Sequence, residues 1–331
     1  MLRIAYIGNR GFHSDIVNGS TRGDKRFTAC AVAGGTLDED MGWFYDYIKA
    51  DHPDAHFYAD YIEMLDTEKP DVAVVSPQFN LTAKVCIECA KRGIHIFTEK
   101  PVATDIDELN ALKEVIKYSG IHFCAMHNLR YAKGFAQAVR AVKNGQIGDV
   151  RLINAQKSYK LGTRAEFFKS RETYGGTIPW VGIHGIDWIY AVANKPCRKV
   201  TATHSNVGNN GHGDLESTCL CMFEFEDGIS ASLTVDYIRP SSAPTHSDDR
   251  LRVVGTKGTL EVKDGVLTVI DNDGVHTPDV SDEINLAIDF LESVLDGREC
   301  VISADEIFDI TSLALSARES ADTGKTIWLE V

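Results

Sequence analysis

The sequence has no long hydrophobic run, no excess of basic residues and no low-complexity segment. A membrane-spanning helix needs about 20 consecutive, mainly apolar residues, and no stretch approaches that length. The first residues, MLRIAYIGNR, are typical of a strand and a turn and lack the charged and apolar regions of a secretory leader. We therefore predict a cytoplasmic protein with no membrane partner. The formal net charge of −14 also argues against a nucleic-acid partner, because phosphate backbones are bound by basic surfaces.

Closely spaced metal ligands are missing as well. The C-x-x-C pair at 86–89 has no second pair at zinc-site spacing, and most of the eight cysteines lie in apolar or strand-like segments. We predict reduced, buried thiols and no metal site. The second half of the chain has five further potential metal ligands, and none of them shows H-x-x-x-H or similar spacing. These residues are His184, Asp187, His204, His212 and His246.

In its first third, the sequence alternates regularly between two patterns. Short, β-branched, nearly continuous apolar runs are typical of strands that are covered on both faces: RIAYIG, FTACAVAG, PDVAVVSP, IHIFTEKP and IHFCAMH. Helical patterns lie between them, such as DIDELNALKEVIKYSG, which opens on an aspartate cap and closes on Gly120. Strand and helix in strict succession predict a doubly wound parallel sheet of the Rossmann type.

From about Val150 the pattern changes to polar and apolar residues in alternation, broken by Asp-Gly and Lys-Gly turns. This is typical of antiparallel strands, with helices predicted near 184–193, 282–295 and 304–322. The fold class is therefore α/β, with a Rossmann-type domain over 1–125 and an α+β domain with a large open, mainly antiparallel sheet over 126–331. One face of such a sheet has no helices, so we predict a homodimer or homotetramer that pairs through it.

The segment YIGNRGFH follows the first predicted strand, where a doubly wound domain binds a pyrophosphate. Gly8 and Gly11 are present, but the spacing is G-x-x-G, with Arg10 at the usual second glycine. This spacing alone does not distinguish a cofactor-binding turn from a structural one. After the second strand, Gly34 is followed by Asp38, which is late for the acid that binds the adenosine ribose. The choice between NAD and NADP stays open.

The strand IHIFTEKP ends on a charged pair and a proline, Glu99, Lys100 and Pro101. Such residues either form a solvated strand exit or belong to a site. Ligands of open α/β sheets bind at the carboxyl ends of the strands, which favours a site. A partly desolvated lysine beside a cationic nicotinamide could exchange protons near neutral pH. We therefore predict that Lys100 is catalytic.

The run from VVSPQFN through FTEKPVATD to NLRYAKG and GQIGDV resembles the Gfo/Idh/MocA oxidoreductases, the family of glucose–fructose oxidoreductase and inositol dehydrogenase. The resemblance extends over essentially the whole chain. It implies a nicotinamide-dependent enzyme that acts on a secondary alcohol or ketone of a sugar, cyclic polyol or derivative, with Lys100 as the active-site lysine. A surface ion pair is the alternative role for Arg130. The cofactor-binding positions that the resemblance implies are Gly8, Asn9, Arg10, Gly11, Phe12, Gly34, Ser76, Pro77, Asn80, Glu99, Lys100, Asn128 and Arg130.

A second segment, YGGTIPWVGIHGIDWI, resembles the family pattern G-G-x-x-x-D-x-G-x-H-x-x-D. His184 and Asp187 match it, which implies a catalytic histidine and an acid that contacts the substrate. Trp180 stands where the family has an aspartate that assists the lysine and the histidine. Trp180 could stack on the apolar face of a sugar or belong to the core. Alcohol oxidation still requires one general base, which Lys100 with His184 can supply.

Polar residues in VDYIRPSSAPTHSDDR are candidates to replace the missing aspartate. A loop this rich in charge is commonly just a solvated hairpin. Because the second-domain sheet faces the cofactor in the family, the resemblance favours substrate contacts from Tyr237, Arg239 and His246. Tyr159 and Lys157, in AQKSYKL, are weaker candidates.

Three functions are open at this point. The first is an NAD(P)-dependent dehydrogenase of a sugar or cyclic polyol. The second is an NAD-dependent enzyme that cleaves a glycoside through transient oxidation, as some relatives in the family do. The third is a dinucleotide or sugar sensor without catalysis, which the loss of the aspartate at position 180 favours and the retained Lys100 and His184 oppose.

Overall fold

The structure is a computed structural model that describes residues 1–10, 13–278 and 284–329. Its chain divides into two units. The first contains Met1–Met126 and Asn285–Thr311, and the second contains His127–Ile284 and Ser312–Val331. Compared with the predicted domains, the first boundary lies one residue later, and the chain returns to the first unit near its end.

Parallel strands form a six-stranded sheet in the first unit, as the apolar runs predict. The strands are β1 (Leu2–Ile7), β2 (Phe27–Ala33), β3 (His56–Tyr58), β4 (Val72–Val75), β5 (His95–Thr98) and β6 (Phe123–Ala125). Their order is β3-β2-β1-β4-β5-β6, the doubly wound arrangement. All four residues of β4 are buried, which explains its continuous apolar sequence. The sequence analysis missed β3, which is short and has two exposed residues.

Helices connect these strands: α1 (Asp15–Thr21), α2 (Gly42–Asp51), α3 (Tyr61–Glu68), α4 (Thr82–Ala90) and α5 (Ile106–Ser119). The ends of α5 follow from its caps. The Asp105 carboxylate accepts from the amides of Asp107 and Glu108, and Gly120 adopts φ +68° at the other end. Because strands and helices alternate, the loops that follow β1, β4 and β5 lie at one edge of the sheet.

The sheet of the second unit has nine strands and is mainly antiparallel, as predicted. The strands are β7 (Val150–Tyr159), β8 (Cys197–Ser205), β9 (Thr218–Phe225), β10 (Ser230–Asp236), β11 (Ser247–Gly255), β12 (Gly258–Lys263), β13 (Val266–Asp271), β14 (Gly274–His276) and β15 (Ile327–Trp328). Their order is β14-β13-β12-β11-β7-β10-β9-β8-β15, and β7 and β10 run parallel. Buried and exposed residues alternate along β9, so this sheet has one packed face and one open face.

Helices of this unit include α6 (Asn128–Tyr131), α7 (Lys133–Lys143), α8 (Arg171–Tyr174) and α9 (Ile183–Ala193). The helix α9 packs on β7 and β10. A Cβ at Gly185 would lie 2.4 Å from Cδ1 of Leu233, so the glycine allows the helix to approach the sheet closely. On its other side, Trp188 of α9 stacks on Phe135 of α7, with ring centroids 3.8 Å apart.

The segment 285–311 belongs to the first unit, which corrects the prediction that 126–331 forms one domain. It carries α10 (Leu286–Asp296) and the beginning of α11 (Ala304–Thr323). Phe290 packs against Phe97 of β5, and Phe308 stacks on Phe123 of β6, with ring centroids 5.5 and 5.3 Å apart. The apolar side chains of β5 and β6 thus receive their cover from a distant part of the chain, which a local pattern does not reveal.

Among the described residues, no helix is long and apolar enough to cross a membrane. Over the same ranges, no group of three or more His, Cys, Asp or Glu side chains could hold a metal ion. All eight cysteines are free thiols and six of them are buried, in agreement with their apolar sequence surroundings.

Candidate active site

The turn after β1 packs directly against the segment that follows β4. Gly8 adopts φ +72°, and a Cβ there would lie 2.7 Å from Cα of Pro77, so this position requires glycine. The Gly8 amide donates to the carbonyl of Ala33 at 2.9 Å, and the Arg10 amide donates to the carbonyl of Ser76 at 2.8 Å. This turn therefore joins the carboxyl ends of β1, β2 and β4.

A buried carboxylate completes the turn, and the sequence analysis did not identify it. The Glu39 side chain is 5% exposed and accepts hydrogen bonds from the amides of Asn9 at 3.0 Å and Gly35 at 2.8 Å. The Arg10 guanidinium lies 3.7 Å from the same carboxylate. In dinucleotide-binding sheets, an acid after the second strand binds the adenosine ribose. Glu39 lies after the second strand, one residue beyond Asp38. The run around it is rich in acids, and only the folded loop shows which carboxylate reaches the amides of the first turn.

Glu99 and Lys100 follow β5, and both are buried at 3% exposure. The Glu99 carboxylate accepts from the Lys100 amide at 2.9 Å and lies 2.6 Å from Nδ1 of His13. The negative charge of Glu99 raises the pKa of His13, which favours the imidazolium form. The sequence analysis did not predict a role for His13. It brings a positive charge from the first turn to the strand end that carries Lys100.

The other predicted cofactor residues of this unit lie in the neighbouring loops. Ser76, Pro77 and Asn80 follow β4, and Gly34 follows β2. Ser76 is 2% exposed, and its backbone amide and carbonyl bond to Ile7 and Arg10. Two predicted positions lie outside the described residues: Gly11 and Phe12.

The residues at this sheet edge fit a bound dinucleotide. Gly8 provides the close backbone approach, and the buried Glu39 is available for a ribose. The amides of Asn9 and Arg10 already donate within the protein. A pyrophosphate would therefore be met by the side-chain cations of Arg10 and His13, where the G-x-G-x-x-G pattern would place glycines.

In the second unit, a buried ion pair joins α6 to α9. Nε of Arg130 donates to Asp187 at 2.9 Å, and Nη2 donates to the same oxygen. Nδ1 of His127 lies 3.8 Å from that oxygen. The side chain of Asp187 has 0% exposure and pairs with Arg130 inside the protein, while its predicted contact with substrate stays a prediction. Asn128 is half-buried at the start of α6.

Glu216 holds the segment that leads into α9. Its carboxylate accepts from the Thr177 amide at 2.8 Å and pairs with Arg171, and its carbonyl accepts from Oγ1 of Thr177 at 2.7 Å. Gly176 adopts φ +110°, and a Cβ there would lie 3.0 Å from Nη1 of Arg171. These contacts fix the backbone that enters the π-helical turn Ile178–Gly182 and then α9.

His184 lies in the first turn of α9 and is 4% exposed. Trp180, in the preceding π-helical turn, is 6% exposed and packs edge-to-face on Phe168, with ring centroids 6.1 Å apart. Of the two interpretations of Trp180, this burial supports the core residue over a surface for a sugar ring.

The predicted substrate residues of the second sheet converge at one end of it. The Tyr159 ring lies 6.2 Å from that of Tyr237 and 4.9 Å from that of His246. Burial raises the pKa of Tyr237 to about 12, so its phenol stays protonated. Arg239 lies 3.4 Å from Asp248 at the same end.

Lys157, the other weak candidate, is fully buried beneath this group. Its Nζ lies 2.6 Å from the Asp249 carboxylate, 4.7 Å from the centre of the Tyr159 ring and 5.2 Å from that of Trp188. Burial lowers the pKa of Lys157 to about 8, although the charge of Asp249 acts in the opposite direction. The sequence signal was the alternation in AQKSYKL, which places residues 157 and 159 on the same face.

Two family models match the chain in succession. The model of the oxidoreductase family with an NAD-binding Rossmann fold matches residues 35–126, and that of the GFO/IDH/MocA C-terminal domain matches residues 135–261. A solved structure from Thermotoga maritima is 39% identical, with a TM-score of 0.94 over 99% of this chain and 100% of its own.

Curated relatives match at lower identity. The scyllo-inositol 2-dehydrogenase (NAD(+)) of Bacillus subtilis (strain 168) is 22% identical over 284 residues, which are 81% of this chain and 80% of that protein. The 2,7-anhydro-N-acetylneuraminate hydratase of Escherichia coli (strain K12) is 23% identical over 203 residues, 60% of this chain and 53% of that protein. The matched part of this chain spans about half the length of relatives such as this hydratase. From the two matching models and the similarity over the full length of the Thermotoga maritima structure, the chain belongs to the Gfo/Idh/MocA family, whose N-terminal domain is an NAD-binding Rossmann fold.

Proposed function

We propose that the protein is an NAD-dependent oxidoreductase that transfers hydride between nicotinamide and a secondary alcohol or ketone of a sugar, cyclic polyol or derivative. The observation that carries the proposal is Lys100, a buried lysine at the carboxyl end of β5, next to the pair that Glu99 forms with His13. Membership of the family and an inositol dehydrogenase among the relatives support it.

The reaction removes both a hydride and a proton from the alcohol. NAD, when bound, would take up the hydride, so the protein has to supply the general base. We assign the proton on the alcohol oxygen to Lys100, with His184 to orient the hydroxyl or share the proton. Trp180 stands in place of the family's aspartate, so these two residues act without that carboxylate.

We also propose that the cofactor is NAD and not NADP. Both oxygens of the buried Glu39 carboxylate accept backbone amides, which holds a negative charge beside the first turn. Ribose hydroxyls can donate hydrogen bonds to that charge. A 2′-phosphate would instead bring its own negative charge, about −1.5 to −2 for a phosphate monoester near neutral pH, against a carboxylate that solvent hardly screens.

The substitution Lys100→Met tests the assignment of the base. Loss of a positioned acid/base group typically lowers turnover by about 10²–10⁴-fold, and we expect a decrease of that size. The measurement is NADH formation at the nicotinamide absorbance band for inositols, hexoses and amino sugars, and NADH consumption for their keto forms. Titration of NADH fluorescence should show that the variant still binds the cofactor.

Lys113→Met is the matched control, because Lys113 is 46% exposed on α5 and its Nζ lies 3.6 Å from the Asp309 carboxylate. Unchanged turnover in Lys100→Met would refute the assignment. If the unsubstituted protein binds NADH but turns over none of these compounds, the sensor hypothesis gains support over the enzymatic one.

A second candidate function keeps the cofactor but has no net oxidation. The relatives named as a 2,7-anhydro-N-acetylneuraminate hydratase and as glycosyl hydrolase family 109 proteins favour it. It predicts release of a sugar leaving group, or addition of water, without accumulation of NADH. Product analysis by mass spectrometry beside the absorbance assay separates the two functions.

We propose further that the protein forms a homodimer or homotetramer through the open face of the second sheet. Leu220 and Met222 on this face of β9 are 44% and 54% exposed, and Ile270 of β13 is 42% exposed. Apolar side chains distributed over an open sheet face are usually covered by another surface. A second copy of the sheet would provide that cover.

A further inference from the structure

Four cationic side chains gather at the end of the second sheet where Tyr159, Tyr237 and His246 meet. We refer to them as the cationic cluster, and they are Lys157, Lys160, Arg164 and Arg239. The sequence analysis considered Lys157 and Arg239 but not Lys160 or Arg164. In a chain with a formal net charge of −14, such a local concentration of positive charge needs an explanation.

Arg164 is the member with the most unused hydrogen-bonding capacity. Its guanidinium carbon lies 4.9 Å from the centre of the Tyr237 ring and 5.9 Å from that of Phe168. Nη2 donates to the carbonyl of Lys160 at 3.1 Å, while Nε is buried without a hydrogen-bond partner in the described part of the chain. A guanidinium has five N–H donors, so the described protein contacts use a small part of its capacity.

Two carboxylates of this region, those of Asp248 and Asp249, pair with cations other than Lys160 and Arg164. Asp249 pairs with Lys157 at 2.6 Å. Asp248 lies 3.4 Å from Arg239 and 2.8 Å from Arg250. For Lys160 and Arg164, the recorded acceptors within the described residues are backbone carbonyls, of Ala243 and of Lys160 itself. Two positive charges, those of Lys160 and Arg164, therefore face this end of the sheet without a carboxylate partner in the part of the chain that the structure describes.

The charges act on the exposed imidazole of His246. Partial burial lowers the pKa of His246, and the charges of Arg164, Lys160 and Lys157 lower it further, while Asp249 acts in the opposite direction. The neutral form of His246 is thus favoured near neutral pH. Neutral His246 can offer a hydrogen bond to a ligand without adding charge.

Contacts within the second unit connect the cationic cluster to the segment that carries His184. The hydroxyl of Tyr237 lies 3.3 Å from that of Tyr174, which lies 3.1 Å from Oγ1 of Thr177. Phe168, which also faces Arg164, packs on Trp180. A ligand group bound by Arg164 would therefore be anchored to the same aromatic layer that supports the start of α9.

We propose that the substrate carries a carboxylate, bound by Arg164 and Lys160, and that its class is the sugar acids. This rests on the proposed function, because it names the compound on which that same site acts. The planar guanidinium matches both oxygens of a carboxylate, and Lys160 adds a second charge-assisted hydrogen bond. The cation–carboxylate pairs of Lys157 and Arg239 keep the remaining charge of the region low, which suits a singly charged group.

The test compares Arg164→Gln with the unsubstituted protein. Binding to the NADH-loaded protein is measured by titration calorimetry for hexuronates and hexonates, for the matching neutral hexoses and hexitols, and for inorganic phosphate. A charged hydrogen bond contributes about 1.5–3 kcal/mol. We therefore expect the acids to bind about 10–100-fold more tightly than their neutral counterparts, and this advantage to disappear in Arg164→Gln. Arg164→Lys keeps the positive charge but lacks the planar guanidinium. In this variant, the tighter binding of acids should return in part.

Arg252→Gln is the matched control, since Arg252 is 46% exposed on β11 and pairs with Glu261. Circular dichroism and the melting temperature check that each variant folds. Equal binding of acids and neutral compounds, no binding of any acid, a preference for inorganic phosphate, or unchanged acid binding in a folded Arg164→Gln would each overturn the inference.

Failure of the proposed function can be distinguished from failure of this inference by comparing binding with turnover. Acids that bind through Arg164 but give no NAD-linked turnover would support the inference and refute the proposed function. Oxidation of neutral sugars that Arg164→Gln does not affect would support the proposed function and refute the inference.

Discussion

At the scale of single residues, the proposed preference for NAD over NADP rests on Glu39. We predict that Glu39→Gln, which keeps the shape and removes the charge, weakens NADH binding by about 5-fold. The reason is that a hydrogen bond to a charged acceptor contributes roughly 1 kcal/mol more than a neutral one. NADPH should bind more tightly to the variant than to the unsubstituted protein, because a repulsive charge is gone. Titrations of NADH and NADPH fluorescence measure both effects.

Asp38→Asn is the control for this prediction. Asp38 is the preceding acid of the same run and is fully exposed, so its charge is screened by solvent and the titrations should not change. Equal affinity of the unsubstituted protein for NADH and NADPH would contradict the role of Glu39.

His13 gives the first unit a pH-dependent contact. Because Glu99 raises the pKa of His13 above its ordinary value of 6.5, the pair stabilises the folded state fully below that value. The stabilisation is lost as the pH rises through the raised pKa. We predict that His13→Gln lowers the free energy of unfolding at about pH 5.5 and has little effect at about pH 9. The effect should not exceed about 1 kcal/mol, since the His13 side chain is 36% exposed and solvent screens the pair.

A double-mutant cycle with Glu99→Gln isolates this contact. The coupling free energy from urea unfolding should be present at the lower pH and absent at the higher one. A coupling that is the same at both values would show that the pair does not titrate between them, which contradicts the prediction.

At the scale of elements, the packing of α9 on β10 depends on Gly185. We predict that Gly185→Ala destabilises the protein by about 1–3 kcal/mol, because an extra methyl group in a well-packed core forces its neighbours to move. The neighbour here is the buried Leu233, whose Cδ1 would lie 2.4 Å from the new Cβ. Urea unfolding measures the loss, and Leu233→Val in the same chain should recover part of it by removing volume at the contact.

Gly19→Ala is the matched control, since Gly19 lies inside α1 and a Cβ there would meet no atom within 4 Å. This substitution should be neutral or stabilise the protein by up to about 1 kcal/mol, through the lower entropy of the unfolded chain. Equal effects of the two substitutions would indicate that the close approach of α9 to the sheet contributes little.

At the scale of the whole molecule, the open sheet face predicts association. We expect light scattering to give a mass of at least twice the 36.5 kDa of the chain at micromolar concentration. Leu220→Glu with Met222→Glu should shift the mass toward that of one chain, because the paired surface would then bury charges at a cost. A single-chain mass for the unsubstituted protein would refute association through this face.

Local sequence patterns were sufficient to predict most helices and strands, and to predict that Lys100 follows the end of a strand. Alternating apolar residues identify a strand wherever it lies, and a charged residue at its carboxyl end is visible without any knowledge of the neighbouring strands. The same is true of Asp105 and Gly120, which cap α5 through contacts within a few positions. The short, exposed β3 was missed because it carries no such pattern.

Residues that depend on distant partners were not predictable in the same way. The amide of Asn9 meets Glu39 across 30 positions, His13 meets Glu99 across 86, and Arg130 meets Asp187 across 57. Nothing in the sequence near either member of these pairs indicates the other. Arg164 is a similar case, since its surroundings come from separate strands and loops.

The sequence by itself determined the two sheets and the family, because each rests on residues that are close in the chain. Only the tertiary structure decided that Glu39 contacts the turn after β1, that Asp187 is buried against Arg130 and that 285–311 returns to cover β5 and β6. The physical reason is that burial and pairing of charge depend on what the whole chain brings together, while strand and helix periodicity is a property of a few consecutive residues.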